Sequence, residues 1–159
     1  MNTLNQRLDF SRLSPDLIKK YFDFSEAVQL DHVLAQLVNV RASQLNGCAF
    51  CLDMHVKQAK IAGERELRLH HIAIWRESPL FTPAERAALT WTEALTCIAP
   101  EGLSDAVYRE ACEHFSPKEL SQLTFLVVAI NGWNRMNMAF RSTPGTQDKR
   151  FGLDKAGLS

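Results

Sequence analysis

The sequence has no excess charge of either sign, because 18 Lys and Arg residues balance 18 Asp and Glu residues in a chain of 159. Binders of nucleic acids and anionic lipids concentrate basic residues on one face, so we expect neither nucleic acid nor membrane as a partner. Long apolar runs are also missing, and no stretch approaches the roughly 18 to 20 apolar residues that span a bilayer. The opening segment MNTLNQRLDF is not a basic leader followed by an apolar run, so we expect a cytoplasmic protein.

The sequence lacks a secreted disulfide framework, because its four cysteines are not spaced like one. Cys48 and Cys51 are three positions apart, whereas Cys97 and Cys112 stand alone on apolar helical faces. A chain of this length buries roughly 70% of its unfolded surface and needs no disulfide or structural metal to fold. We therefore interpret the close pair as a redox or metal site and the other two as inert core thiols.

Strand signals are nearly absent and no linker or repeat divides the chain, so the sequence predicts one all-α domain across residues 1–159, with about six to seven helices. Two pairs, Thr82 with Glu85 and Ser116 with Glu119, have the spacing of capping boxes, and a proline follows the first residue of each. With the other start and stop signals, they predict helices at about 15–23, 27–45, 48–62, 64–76, 83–98, 104–114 and 117–140.

The C-terminal part of the chain combines an apolar helix with an irregular tail. Residues 123–130 are apolar almost all round, which predicts a position at the centre of the domain or at a subunit interface. Asn131, Asn134 and Arg135 follow, and we interpret them as structural because buried amides need partners. Residues from about 142–159 have no periodicity, so we expect a tail ordered by packing on a neighbouring subunit, and hence a homo-oligomer.

The segment around the cysteine pair places three reactive side chains on one helical face. Asn46 and Gly47 end one helix and open the next, so Cys48 falls in the first turn of the new helix. At about 100° per residue, Cys48 and His55 are separated by only about 20° around the helix axis, and Cys51 lies about 60° from Cys48. A helix N-terminus favours a thiolate, and a histidine four residues beyond Cys51 can accept a thiol proton. An activated sulfur, a resolving sulfur and a base are therefore predicted together.

Two other interpretations of these three side chains stay open. Free cysteine is among the most buried residue types, so the three residues can simply line a core-facing stripe. They can also be zinc ligands, but structural zinc needs four protein ligands and the sequence offers no second C-x-x-C or H-x-x-x-H pair. We therefore expect no metal and no cofactor other than a redox-active disulfide.

With these residues in hand, the sequence resembles the alkylhydroperoxidase D and carboxymuconolactone decarboxylase superfamily, in the branch that carries C-x-x-C-x-x-x-H. The resemblance covers about Leu34 to Thr96, and its most specific phrase is SQLNGCAFCLDMH. The phrases WRESPLFTPAERAALTWTEALT and INGWNR, at residues 75–96 and 130–135, resemble a subgroup of small proteins in that superfamily. The resemblance implies an all-α fold of the alkylhydroperoxidase D type, assembled as trimers or hexamers.

The same resemblance implies an antioxidant thiol-dependent enzyme, an alkyl hydroperoxide reductase or disulfide reductase. In its pattern the second cysteine attacks the peroxide and the first resolves the sulfenic acid, which would make Cys51 peroxidatic and Cys48 resolving, with His55 in the proton relay. A dithiol or a thioredoxin-like protein would supply electrons for an organic peroxide or disulfide substrate. Helix electrostatics by itself favours Cys48 as the more acidic thiol, so the order of the two sulfurs stays open.

The sequence departs from the family pattern at two positions of the relay. Gln36 stands where the family has a glutamate, and Phe50 stands where it often has a histidine just before the second cysteine. A glutamine orients its neighbours through hydrogen bonds but does not exchange a proton at neutral pH, so we expect weakened peroxidase turnover. Glu93 is a possible substitute, although we favour a salt-bridge role for it.

Two other functions remain alternatives. One is a lactone-acid enzyme of the carboxymuconolactone decarboxylase type, although that chemistry has no use for a dithiol. The other is a non-enzymatic redox sensor or oligomer module whose assembly responds to the disulfide.

Overall fold

The computed structural model describes residues 5–158, and that part of the chain is helical, as the sequence predicts. Nine α-helices occur in the described residues, more than the six to seven predicted, because two of them are only four residues long and carry no periodic signal. The α-helices are α1 (Phe10–Leu13), α2 (Pro15–Glu26), α3 (His32–Asn46), α4 (Ala49–Ile61), α5 (Glu66–His71), α6 (Pro83–Thr96), α7 (Asp105–His114), α8 (Pro117–Phe140) and α9 (Asp148–Phe151). Two 3₁₀ segments cover Ile72–Glu77 and Leu153–Ala156.

Both predicted capping boxes are present and fix the starts of α6 and α8. Thr82 accepts a hydrogen bond from the backbone N–H of Glu85, whose side chain accepts one from the backbone of Thr82. Ser116 and Glu119 make the same reciprocal pair at the start of α8. Each box satisfies two backbone donors that a helix start leaves unpaired.

The single helix predicted at 64–76 is divided in the structure. Helix α5 ends at His71, and a 3₁₀ segment follows in which Ile74 leaves helical geometry, with φ −122° and ψ 28°. The guanidinium of Arg86 donates hydrogen bonds to the backbone carbonyls of Trp75, Arg76 and Ser78. An arginine on α6 therefore provides hydrogen-bond donors for the carbonyls at the end of this segment. Because Arg86 lies on the next helix, local sequence signals do not predict this contact.

Helix α3 lies at the centre of the fold, in contact with α4, α6 and α8. Leu37, Val38 and Val40 are fully buried and contribute to two hydrophobic clusters on different sides of the helix. A helix buried on several sides needs apolar residues around much of its circumference, and α3 supplies them. Helix α3 also carries polar side chains that form hydrogen bonds with side chains of neighbouring helices.

The sequence predicts that residues 123–130 lie at the centre of the domain or at a subunit interface, and only one side of this part of α8 is buried. Leu123, Val127 and Ile130 are buried, but Phe125 and Val128 are 47% and 53% exposed. At 24 residues α8 is longer than any other helix described, yet none of the described helices is long and apolar enough to cross a membrane.

The segment at about 142–159, expected to be an irregular tail ordered by a neighbouring subunit, is partly helical in its described residues. It forms α9 and the second 3₁₀ segment, and it packs against α4 of its own chain with Leu153 and Ala156 buried. The buried ammonium of Lys57 binds Asp148 at 2.7 Å and Asp53 at 2.9 Å. This ion pair joins positions 91 residues apart, which a search for local periodicity does not detect.

Candidate active site

Cys48 is the N-cap residue of α4, and the local backbone explains how it comes to be there. Gly47 ends α3 in the left-handed conformation, with φ 71° and ψ 28°, a geometry that favours glycine. The chain then turns so that the backbone N–H of Cys48 donates to the carbonyl of Ser43 at 3.0 Å. The Cys48 Sγ accepts a hydrogen bond from the backbone N–H of Cys51 at 3.3 Å. A sulfur therefore occupies the position at which a serine or aspartate oxygen usually caps a helix.

The two sulfurs of the pair lie together inside the protein. Cys48 Sγ and Cys51 Sγ are 2.7 Å apart, both thiols are free, and the two residues are 2% and 3% exposed. The side chains packed around them are apolar: Ala42, Ile130, Phe50 and Trp133. The two thiols are thus close enough to share a proton and are screened from bulk water.

The surroundings of the two sulfurs shift the pKa values of the two thiols in opposite directions. The pKa of Cys48 is lowered, chiefly because the Cys51 thiol donates a hydrogen bond to it; burial opposes this effect and the Cys51 backbone N–H adds to it. The pKa of Cys51 is raised, first by its hydrogen bond to Cys48 and then by burial and by the Cys48 charge. The first proton therefore leaves Cys48, in agreement with the expectation from the helix N-terminus.

Two amides from α8 complete the immediate surroundings of the sulfurs. The Asn137 Nδ2 donates to Cys51 Sγ at 3.5 Å, and the Asn134 Nδ2 donates to Ser43 Oγ at 3.1 Å. Both amides act to lower the pKa of Cys51, against the larger effects that raise it. We call Cys48, Cys51, Asn134 and Asn137 the cysteine–amide cluster.

The sequence predicts a structural role for Asn134 and indicates no role for Asn137. The signal that was available is the spacing of Asn131, Asn134 and Asn137, three residues apart on one apolar helix. Positions separated by three lie near one another on a helix, so these amides occupy the same side of α8. Only the packing of α8 on α3 and α4 tells which of the three meets a sulfur.

His55 binds Gln36 in the structure, and it makes no hydrogen bond to either sulfur among the described residues. The His55 Nδ1 lies 3.2 Å from Gln36 Oε1, and the Gln36 Nε2 lies 3.5 Å from His32 Nε2. Because an amide oxygen only accepts, Nδ1 of His55 carries the proton and its Nε2 is left with a lone pair. His32, which the sequence did not single out, accepts from the Gln36 amide in the same arrangement.

Burial holds His55 in its neutral form. It lowers the pKa of His55 to about 4, with an opposing and smaller contribution from Gln58. A histidine with that pKa is uncharged at neutral pH, so it cannot steady a thiolate as an imidazolium. The sequence suggests either role for His55, and burial leaves its imidazole uncharged at neutral pH.

Glu93 is not joined to the cysteines. Its carboxylate binds Arg41 at 2.7 Å, Arg76 at 2.6 Å and the Trp75 Nε1 at 2.8 Å, and no hydrogen bond of the described residues connects it to His55 or either sulfur. Burial acts to raise the pKa of Glu93, but the donors from Trp75, Arg76 and Arg41 outweigh it and leave that pKa below its usual value. Glu93 is therefore an ion-pair partner of Arg41 and Arg76 here, which is the role that the sequence favours over a relay. We call Arg41, Trp75, Arg76 and Glu93 the Glu93 cluster.

The other two cysteines are not in the core. Cys97 and Cys112 are exposed, so the expectation of core thiols is wrong for both. Cys97 is the C-cap residue of α6, beyond the last buried turn, and Cys112 lies next to the buried Ala111 on the outer side of α7. Within residues 5–158, no group of three or more His, Cys, Asp and Glu side chains is arranged to hold a metal ion.

The site is thus a buried dithiol at a helix start in an all-helical chain, and comparison with known proteins assigns its class. Residues 15–94 match the carboxymuconolactone decarboxylase family. The chain is 32% identical over 139 residues to the uncharacterized protein YdfG of Bacillus subtilis, covering 86% of this chain and 95% of that one. The chain therefore belongs to the carboxymuconolactone decarboxylase family.

Several solved structures share the fold, among them the following two. A crystal structure from Agrobacterium tumefaciens, of a protein of unknown function named as a candidate antioxidant defence protein AhpD, matches with a TM-score of 0.85 and 37% identity, over 89% of this chain and 99% of that one. The debrominase Bmp8 matches with a TM-score of 0.76 and 19% identity, over 98% of this chain and 99% of that one. The fold of this chain is accordingly AhpD-like.

Proposed function

We propose that the protein is a thiol-dependent oxidoreductase that reduces organic hydroperoxides, or small disulfides, through reversible oxidation of Cys48 and Cys51. One observation carries the proposal: two free thiols lie 2.7 Å apart at a helix start, one of them with a lowered pKa. A dithiol that is acidic at one sulfur and adjacent to a second is the arrangement that peroxide reduction requires. The AhpD-like fold is consistent with it.

The contact between the sulfurs supplies the first proton transfer. Once Cys48 has lost its proton, Cys51 donates a hydrogen bond to it, and moving the shared proton makes Cys51 the thiolate and Cys48 the thiol. The Cys51 sulfur then attacks the terminal oxygen of the hydroperoxide, the O–O bond breaks, and Cys51 becomes a sulfenic acid. The departing alkoxide takes the Cys48 proton and leaves as the alcohol.

The second half of the reaction closes the disulfide. The Cys48 thiolate attacks the Cys51 sulfur, the S–O bond breaks, and hydroxide leaves as water after taking a proton from solvent. Each hydroperoxide thus accepts two electrons from the dithiol. An external dithiol returns them by thiol–disulfide exchange. His55, neutral and oriented by Gln36, is the base we assign to proton exchange with solvent, while Gln36 itself only orients it.

The packing around the sulfurs favours a small, mostly apolar oxidant. Cys48 and Cys51 are almost completely buried, and Phe50, Ile130 and Trp133 surround them. A folded protein disulfide does not reach sulfurs at this depth without an opening of the site, whereas an alkyl hydroperoxide needs only a narrow path. We therefore place organic hydroperoxides ahead of protein disulfides as substrates.

The test is turnover of cumene hydroperoxide with dithiothreitol as the reductant. We expect wild-type protein to consume hydroperoxide in proportion to dithiol and Cys51→Ser to lose that activity, while Cys97→Ser, an exposed cysteine in the same chain, keeps it. Disulfide formation without turnover, accompanied by a change of assembly size on oxidation, would favour the redox sensor instead. Equal turnover in wild type and Cys51→Ser would contradict the proposal.

We also propose that the protein forms a homo-oligomer, a trimer or a hexamer. The support is the apolar side chains exposed on α8, where Phe125 and Val128 are about half exposed, and on α2, which packs against α8 and carries Phe22, 44% exposed. Apolar side chains left uncovered on adjacent helices are typical of interfaces between subunits. Light scattering at micromolar concentration is expected to give a mass of three or six chains, and a monomer would contradict this.

A further inference from the structure

A row of three buried amides lies along α8 beside the cysteine pair. Asn131, Asn134 and Asn137 are each 8% exposed or less. Asn131 donates to Thr96 Oγ1 at 3.0 Å and Asn134 donates to Ser43 Oγ at 3.1 Å, so both have oxygen partners on other helices. Asn137 differs from them, because its partner on another helix is a sulfur, the Cys51 Sγ at 3.5 Å.

The backbone of α8 fixes which end of the Asn137 amide faces that sulfur. Asn137 Nδ2 also donates to the carbonyl oxygen of Trp133, one turn earlier, at 2.9 Å. A carbonyl oxygen only accepts, so turning the amide over would set two oxygens against each other. The two N–H bonds are therefore divided between Trp133 and Cys51, and the sulfur receives a donor whatever its own protonation state.

Cys51 has few other means of carrying a negative charge. It lies in an apolar pocket with Ala42 and Ile130, and the helix-start N–H of this turn is already used by the Cys48 sulfur. Burying an ion without hydrogen bonds is costly, and a hydrogen bond to an ionised group is stronger than one to a neutral group. A thiolate at Cys51 therefore depends on the hydrogen bond that it accepts from Asn137.

We propose that Asn137 is a catalytic residue of the dithiol site, which donates a hydrogen bond to Cys51 Sγ and stabilises the negative charge on that sulfur. This inference rests on the proposed function, in which Cys51 bears that charge when it attacks the hydroperoxide. The same contact serves when the disulfide is reduced by attack on the Cys48 sulfur, because the S–S bond then breaks with its electron pair on Cys51. A backbone N–H of α4 thus donates to the Cys48 sulfur, and the Asn137 side chain of α8 donates to the Cys51 sulfur.

The experiment isolates Cys51 and measures its ionisation directly. In a Cys48→Ser background, the rate of Cys51 alkylation by iodoacetamide is followed from pH 6 to 10 by mass spectrometry of the tryptic peptide that spans residues 42–57. We expect Asn137→Ala to move the alkylation profile to higher pH, with about a tenfold lower rate at pH 7. Asn137→Leu, which keeps nearly the size of asparagine, is the second variant in case the smaller side chain impairs folding.

Asn131→Ala is the matched control, because it removes a buried amide from the same helix without touching a sulfur. We expect it to lower thermal stability and to leave the alkylation profile of Cys51 in place. A profile unchanged in a folded Asn137 variant would overturn the inference, as would an equal displacement in Asn131→Ala. Since alkylation does not require turnover, a protein inactive toward hydroperoxides with a displaced profile would contradict the proposed function and leave the role of Asn137 standing.

Discussion

The cysteine–amide cluster and the Glu93 cluster are both polar groups that include or contact residues of α3, and they are built in opposite ways. In the Glu93 cluster, one carboxylate is held by two guanidinium groups and an indole N–H at 2.6 to 2.8 Å. In the cysteine–amide cluster, two thiols lie in apolar packing and receive longer hydrogen bonds, at 3.3 and 3.5 Å, from a backbone N–H and an amide.

The difference explains which cluster is able to change its state. A buried carboxylate bound by permanent cations keeps its charge, since protonating it would leave those cations unpaired. Neutral donors stabilise a thiolate but do not compel it, so the sulfurs can lose a proton, bond to each other and recover. We therefore assign the chemistry to the cysteine–amide cluster and a role in stability to the Glu93 cluster.

The largest effect is expected from a change that leaves the fold intact. Cys48→Ser replaces the sulfur by an oxygen that caps a helix at least as well, so we expect a free energy of unfolding within about 1 kcal/mol of wild type. Hydroperoxide turnover should fall by about 1000-fold, because no resolving sulfur remains. Urea unfolding and the cumene hydroperoxide assay measure the two quantities. A large loss of stability alongside retained turnover would reverse the assignment.

His55, which lies on the same helix as the two cysteines, makes the free energy of unfolding depend on pH. Burial lowers its pKa to about 4, whereas in the unfolded chain it titrates near its usual 6.5. Between these values the unfolded state binds a proton that the folded state does not, so stability falls as the pH is lowered through this window. The loss between pH 7 and pH 4 is about 3 kcal/mol. We expect His55→Gln to lack that part of the pH dependence in urea unfolding, and an unaltered slope would count against a buried neutral His55.

Glu93→Gln tests the other cluster. The substitution keeps the shape but leaves Arg41, a largely buried cation, without its carboxylate, so we expect a loss of about 2 to 3 kcal/mol in the free energy of unfolding. The protein that remains folded should reduce hydroperoxide at the wild-type rate. Activity that falls with no loss of stability would return Glu93 to the relay.

Gln36→Glu is expected to have the smallest of these effects and the opposite sign. It provides a carboxylate beside His55, which raises the pKa of the imidazole and lets the pair exchange protons, so we expect turnover to rise by about tenfold. The comparison variant is Gln36→Met, which fills a similar volume but neither orients His55 through a hydrogen bond nor exchanges a proton. If both variants behave alike, the contact between Gln36 and His55 does not contribute to the reaction.

Local signals were sufficient for most of the fold and for half of the site. The capping boxes at Thr82 and Ser116 and the glycine turn before Cys48 are read from neighbouring residues, and the structure has all three. The partners of a side chain on other helices are not local. Sequence spacing predicts that His55 contacts Cys51, but the packing of α3 on α4 lets His55 form a hydrogen bond with Gln36 instead. The contact between Asn137 and the Cys51 sulfur likewise depends on how α8 crosses α4.

The exposure of side chains near helix ends could not be predicted from the periodicity of the sequence either. Cys97 and Cys112 lie at positions whose periodicity suggests a core face, yet both are exposed. Cys97 comes directly after the last residue of α6, where helical periodicity no longer applies. Burial there depends on which element covers the helix end, and Cys97 is left exposed by the part of the chain that the structure describes.

The most direct test of the account compares all four cysteines in one sample. Trypsin places Cys48 and Cys51 in residues 42–57, Cys97 in residues 87–109 and Cys112 in residues 110–118. After brief treatment with one equivalent of cumene hydroperoxide, we expect the first peptide to lose two hydrogens and the other two to remain reduced. An unchanged thiol pair, with oxidation at Cys97 or Cys112, would contradict the claim that the buried dithiol is the redox site.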